Sequence, residues 1–155
     1  MQLTTQHQPE GIGFAGLGAM GLGMASNLVQ AGFPVSGFDV FPKALENFAA
    51  KGGRPMRSLL DASRGQSKFF VMVATPGQVD GLVPDLTESL PQGAIFCLFS
   101  TLPPAYILEL RGRLDAMGRP DIRLLDCPVS GGVVGANGGK LTVSGYVLCI
   151  VASSI

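Results

Sequence analysis

GIGFAGLGAMGLGMASNLVQAGFPVSGFD, Gly11 to Asp39, decides how this chain is read. A short apolar run, Ile12–Ala15, enters a GxGxxG turn made by Gly16, Gly18 and Gly21. The spacing then predicts a helix over Met20–Gln30, with Met20, Met24, Leu28 and Ala31 on one face and Gly32 as its stop. A second apolar run, Val35–Phe38, ends in an acid, Asp39, eighteen residues past Gly21. In a chain with 22 glycines a bare GxGxxG carries little, so the weight rests on its place between strand and helix and on the acid that follows.

That arrangement predicts a dinucleotide-binding turn, Gly16-Leu17-Gly18-Ala19-Met20-Gly21. Gly16 lets the chain leave the strand tightly, Gly18 lets backbone approach a pyrophosphate, and Gly21 lets the helix pack close to the strand. The first helical N–H groups, from about Ala19 to Leu22, lack intrahelical acceptors and would face the phosphates, with the helix dipole adding partial positive charge. Asp39 would accept hydrogen bonds from the adenosine ribose and repel a 2′-phosphate, which favours NAD over NADP. No arginine follows Asp39 directly. Two alternatives stay open on the turn alone: a turn that binds nothing, and one that binds another nucleotide such as S-adenosylmethionine.

The rest of the chain alternates strand and helix. Further strands are predicted at Phe69–Val73, Ala94–Phe99, Ile122–Cys127 and Leu141–Val143. Helices are predicted at Lys43–Lys51 and Ser58–Arg64, as a short turn at Gln78–Val83, and from Pro103-Pro104 to Met117 with Ile107, Leu108, Leu110 and Leu114 inward. Pro128 to Gly139 reads as a glycine-rich loop. Such alternation implies right-handed crossovers and an α/β, doubly wound, mostly parallel sheet with helices on both faces. Ligands of such sheets bind beyond the carboxyl ends of the strands. Three loops fall there: Ala74-Thr75-Pro76, Ser100-Thr101-Leu102-Pro103, and Pro128-Val129-Ser130-Gly131-Gly132. Ser100 and Thr101 offer hydroxyls to a ligand or serve as a helix cap. Ser130, Gly131 and Gly132 form either an anion-binding nest or a flexible loop.

Composition narrows the classes. A length of 155 residues suits one domain. Apolar residues make up 46% and charged residues only 14%, which fits a sheet buried on both faces or a surface that belongs against a partner. Formal net charge is zero with no basic block, which argues against a nucleic-acid surface and against electrostatic membrane binding. The longest apolar run, Tyr146–Ala152, falls short of the ~20 residues of a membrane span. The polar start, with no apolar core of a signal peptide, predicts an intracellular protein, cytoplasmic or mitochondrial. Cys97, Cys127 and Cys149 match no zinc spacing and read as buried free thiols; no metal site is expected.

The chain resembles the N-terminal NAD(P)-binding domain of the β-hydroxyacid dehydrogenase family, the 3-hydroxyisobutyrate dehydrogenase-like members of the 6-phosphogluconate dehydrogenase superfamily. GFAGLGAMGLGMASNL (Gly13–Leu28) resembles the family's GxGxMGxxMAxNL motif, and DCPVSGGVVGANGGKLT (Asp126–Thr142) its DxPVSGGxxGAxxGxLT motif. FST (Phe99–Thr101) matches the position of a Ser-Thr pair beside the nicotinamide ribose. The resemblance implies a Rossmann-type fold, cofactor contacts at Val73, Ala74 and Thr101, and substrate-carboxylate contacts at Ser130, Gly131 and Gly132. At Ala74 the family usually has proline. Asp39 followed by Val-Phe-Pro looks like the NAD-using type; NADP-using members typically carry Asn-Arg there. A small 3-hydroxy acid is the implied substrate.

The family's general acid/base is a lysine in a GxGxxxKxxN motif of a following helical domain, and that motif is absent from these residues. Lys140 lies inside the substrate loop, and His7, the only histidine, lies in the tail, so neither replaces it. The reading is therefore a tail over 1–10, a dinucleotide-binding domain over 11–142, and a divergent C-terminal segment over 143–155. No catalytic residue is assigned. An enzyme's cofactor domain, inactive as this chain alone, stands beside two other readings: a non-catalytic NAD(P)-binding module and a fragment without function.

Overall fold

The computed structural model describes residues 10–148. Its elements are β1 (Ile12–Ala15), α1 (Ala19–Gln30), β2 (Val35–Phe38), α2 (Pro42–Ala50), β3 (Arg54–Pro55), α3 (Leu59–Ser63), β4 (Lys68–Val71), α4 (Pro76–Ser89), β5 (Ile95–Leu98), α5 (Pro104–Ala116), β6 (Arg123–Asp126), β7 (Val129–Ser130), α6 (Gly132–Asn137), β8 (Thr142–Val143) and β9 (Tyr146–Leu148). Seven strands form one sheet in the order β3-β2-β1-β4-β5-β6-β9. Pairs from β3 through β6 are parallel, and β9 runs antiparallel to β6 at the edge. Strand order reverses between β1 and β4, so the carboxyl ends of these two strands open the ligand position of a doubly wound sheet.

Alternation along the strands builds two cores. Ile12, Phe14 and Val35 point to one face, where they meet Leu17, Ala25 and Phe48 from the α1 and α2 side. Phe69, Val71, Phe96 and Leu98 point to the other, against Val79, Val83 and Leu86 of α4 and Ile107, Leu110 and Leu114 of α5. The Rossmann-type, mostly parallel sheet with helices on both faces is thus present.

Several elements differ from the sequence expectation. α4 is not a short turn ending at Val83: it runs through Pro84 to Ser89. Thr75 and Gln78 close a capping box at its start, Pro84 stays exposed, and Val79, Val83 and Leu86 bury one continuous face past the proline. In α5, Leu108 is not inward but 58% exposed. The buried face is Ile107, Leu110, Arg111 and Leu114, an i, i+3, i+4, i+7 set that leaves Leu108 out. Arg111 holds its core position by donating to the Ile122 carbonyl, to Asp115 (2.7 Å) and to the Arg119 carbonyl (3.0 Å). The glycine-rich loop from Pro128 to Gly139 contains β7 and α6, and β7 pairs antiparallel with β8. Packing selects this helix over propensity. Asn27 of α1 donates to the Ala136 carbonyl at 2.6 Å, and Gly23 gives α6 room, since a Cβ there would lie 2.6 Å from Asn137 Oδ1. Tyr146–Leu148, placed by sequence in the divergent segment, supply β9.

Candidate dinucleotide cleft

The turn after β1 is fixed by backbone bonds to both neighbouring strands. Gly16 donates to the Phe38 carbonyl at 3.0 Å, and Met72 donates to the Ala15 carbonyl at 2.9 Å. Gly16 has φ +91, and a Cβ there would strike the Met72 carbonyl. A Cβ on Gly21 would collide with the Gly16 carbonyl and sit 3.3 Å from the Phe14 ring. Gly18 is the opposite case: a Cβ there would meet nothing within 4 Å. Two glycines are therefore required by the protein's own packing, while the third keeps clear a space that the protein does not fill.

The amides beside that space are free. Leu22 donates to the Gly18 carbonyl at 2.9 Å, one residue earlier than the sequence pattern implied, because α1 starts at Ala19. Gly18, Ala19, Met20 and Gly21 give their N–H groups no acceptor among the described residues, and all four line the cleft. Four amides at the start of a 12-residue helix, with the dipole behind them, are suited to receive an anion. Leu17 lies outside the cleft wall: its side chain is in the core and its amide is spent on Asp39.

Asp39 follows β2 and reaches back across the turn. One carboxylate oxygen accepts from the Leu17 amide at 2.7 Å, the other from the Phe41 amide at 2.9 Å. Each oxygen keeps a second acceptor position, enough to take a pair of vicinal hydroxyls. The cleft around these groups has a volume of about 760 Å³. Gly16, Gly18, Ala19, Met20, Gly21, Asp39, Val73 and Ala74 all line it. So do two groups that sequence reasoning missed: Arg57 and Ser58 after β3, and Gly77, Gln78, Gly81, Leu82 and Asp85 along one side of α4. The capping-box pattern at Thr75–Gln78 was the available signal for the α4 wall. Val40, 73% exposed, and Phe41 supply apolar surface at the mouth.

The remaining site residues lie apart from this cleft. Ser100 neither caps a helix nor waits for a ligand. It is 3% exposed, its hydroxyl donates to the Val73 carbonyl at 2.5 Å, and it accepts from the Val73 amide at 3.1 Å. It ties the end of β5 to the end of β4. Thr101 is exposed beyond β5, outside the cleft wall, and α5 begins without a side-chain cap. Ser130 is exposed beyond β6, and Gly131 and Gly132 have φ of +130 and +60. Gly135 donates to the Gly131 carbonyl at 3.0 Å, which starts α6 and rules out a floppy loop. This loop also stands outside the cleft wall.

Two groups near the end of β6 are shifted by burial. Asp126 Oδ1 is buried with no hydrogen-bond partner, and burial raises its carboxyl above the usual range. Burial first, then neighbouring Cys127, pushes the Cys97 thiol up to about 12, so it stays protonated and inert as a nucleophile at neutral pH. Cys97 and Cys127 are buried and free; Cys149 and His7 lie outside the described residues. Among the described residues no three His, Cys, Asp or Glu converge to hold a metal ion, and no helix is long and apolar enough to cross a membrane.

Comparison with known proteins agrees with this geometry. A family model described as the NAD binding domain of 6-phosphogluconate dehydrogenase matches residues 11–145. Mitochondrial 3-hydroxyisobutyrate dehydrogenase of Drosophila melanogaster is 34% identical over 141 residues, covering 90% of this chain and 43% of the relative. NAD-dependent L-serine dehydrogenase of Pseudomonas aeruginosa is 34% identical over 134 residues, covering 84% of this chain and 44% of the relative. The solved structure of Mycobacterium tuberculosis 3-hydroxyisobutyrate dehydrogenase with L-serine superposes with a TM-score of 0.82 at 33% identity, covering 88% of this chain and 46% of that one. The chain spans under half the length of each of these proteins. Its glycine turn, its acid after β2 and its matched residues agree: the chain belongs to the family of the NAD-binding domain of 6-phosphogluconate dehydrogenase, among 3-hydroxyisobutyrate dehydrogenase-like proteins.

Proposed function

We propose that this chain is the NAD-holding half of a 3-hydroxyacid dehydrogenase site. One observation carries the reading: four unpaired amides at the start of α1 and the Asp39 carboxylate line one cleft, with Gly18 leaving open the space between. When bound, NAD supplies a hydride acceptor at its nicotinamide ring. The chain's own residues do the binding. Amides of Gly18 to Gly21 would take the pyrophosphate, Asp39 the adenosine ribose, and the ends of β4 and β5, at Val73, Ala74 and Thr101, would flank the nicotinamide end. Ser130, Gly131 and Gly132 would take the carboxylate of a small 3-hydroxy acid such as 3-hydroxyisobutyrate or serine. The charge on Asp39 favours NAD over NADP.

Hydride departure leaves a hydroxyl proton that must pass to a base. Lys140 is exposed, outside the cleft, and its amide is tied to the Gly135 carbonyl at 2.8 Å. Among the described residues no lysine lines the cleft. These 155 residues alone are therefore read as a binding half without its proton acceptor. Calorimetric titration with NAD, followed by an assay of 3-hydroxyisobutyrate and L-serine oxidation, tests this. The expected result is NAD binding with turnover at background. Rapid turnover by these residues alone would refute the missing base, and absence of NAD binding would refute the whole reading.

A further inference from the structure

β2 and β3 run parallel with Ser36 opposite Arg54 and Gly37 opposite Pro55. Met56 continues the ladder by donating to the Gly37 carbonyl at 2.8 Å. Carried two residues past the paired positions, that register brings Arg57, just after β3, level with Asp39, just after β2. The next residue, Ser58, caps α3 by accepting from the Asp61 amide at 3.1 Å. Arg57 is thus held on both sides, between a ladder bond and a helix cap, with its side chain in the cleft wall.

Its guanidinium is uncommitted. Asp39, the obvious partner, turns both oxygens to the Leu17 and Phe41 amides instead. Among the described residues Arg57 makes no hydrogen bond or ion pair, and it is the one cation among the cleft-lining residues, which also include Asp39 and Asp85. A free guanidinium beside a ribose-binding carboxylate matches the fork geometry of a phosphate monoester.

We infer that Arg57 is a second cofactor-discriminating residue: it binds the 2′-phosphate of NADP and opens to NADP a site whose Asp39 prefers NAD. This inference rests on the cofactor reading of the cleft and adds a specificity to it. The sequence misled here because it placed no arginine after Asp39; the cation arrives from the segment that follows β3.

The test is titration of the full chain with NAD and with NADP, for the native protein, Arg57→Ala and Arg57→Lys, with thermal unfolding of each as a folding control. The native chain should bind both, NAD more tightly. Arg57→Ala should weaken NADP about tenfold, the worth of one exposed charged hydrogen bond, and move NAD less than about threefold. Arg57→Lys should recover part of the loss. Raising salt should weaken NADP more than NAD in the native chain and equally in Arg57→Ala. Equal losses for both cofactors would overturn the inference, since they would mean stacking on the adenine; so would no loss for either, or a native chain that binds NAD but not NADP. A native chain that binds neither refutes the cofactor reading itself and this inference with it.

Discussion

Alanine at Gly18 and alanine at Gly21 should separate what the turn does for the fold from what it does for the ligand. A methyl on Gly21 collides with the Gly16 carbonyl and lies 2.9 Å from the Gly16 carbonyl carbon and 3.3 Å from the fully buried Phe14 ring. Backbone cannot rotate away, so helix α1 must lift from β1. Overpacking of this kind costs about 1–3 kcal/mol. At about 2–4 °C per kcal/mol for a domain of this size, the loss in Tm is about 2–12 °C. Gly18 has φ −70, which alanine adopts freely, and no atom within 4 Å of its Cβ. Lower chain entropy in the unfolded state favours alanine by about 0.4–1 kcal/mol, while alanine's poor performance at a helix N-cap costs a similar amount. Apo stability should thus move by less than about 1 kcal/mol. Affinity should not be spared: on the proposed reading the methyl would enter the space of the pyrophosphate and forfeit an amide–phosphate bond worth about 1.5–3 kcal/mol, or roughly ten- to a hundredfold. Scanning calorimetry of the apo proteins and NAD titration read the two quantities separately. If Gly18→Ala keeps NAD affinity within about twofold of the native value, or loses as much Tm as Gly21→Ala, the assignment of the turn is wrong.

Three further outcomes are expected. Asp39→Asn removes the charge but keeps an acceptor for one of the two backbone amides; the ratio of NADP to NAD dissociation constants should fall about tenfold, measured by paired titrations. Ser100→Ala strands the Val73 amide and carbonyl and should cost about 1–3 kcal/mol, read as a lower denaturant midpoint with unchanged slope. The Arg119 guanidinium, aided by the Gly93 amide, holds the Asp121 carboxyl at about 2, below its ordinary 3.8. The stability it contributes is present above about pH 4 and is lost as pH falls from there toward 2. Asp121→Asn should flatten that part of a pH–stability profile, and an unchanged acid limb would count against the pairing.

Features governed by neighbours in sequence were legible before any coordinates. The β1–turn–α1–β2–Asp39 unit depends on glycine placement, hydrophobic period and one acid, all within 29 residues, Gly11 to Asp39. The carboxyl-end loops follow from strand order. What stayed hidden depends on residues distant in sequence but adjacent in space. Ser100 looked like either a ligand hydroxyl or a cap because its true partner, Val73, is 27 residues away. Arg57 went unremarked because it follows a two-residue strand whose register only the sheet reveals. Arg111 sits on the buried face that Leu108 misses because acceptors at Asp115, Arg119 and Ile122 take its terminal nitrogens, leaving only Nε without a partner. GVVGAN is a poor helix by propensity, and only docking on α1 makes it one.

That docking gives α1 two jobs on one rigid rod. Its first turn would offer amides to the dinucleotide, and its next two turns, through Gly23 and Asn27, carry the segment that begins at Ser130-Gly131-Gly132. A helix does not bend between adjacent turns, so a tilt imposed at one end is delivered at the other. Any change in substrate affinity that NAD produces through this lever must equal the change in NAD affinity that substrate produces. On the proposed reading, cleft and loop would therefore each feel the other's occupant by the same factor.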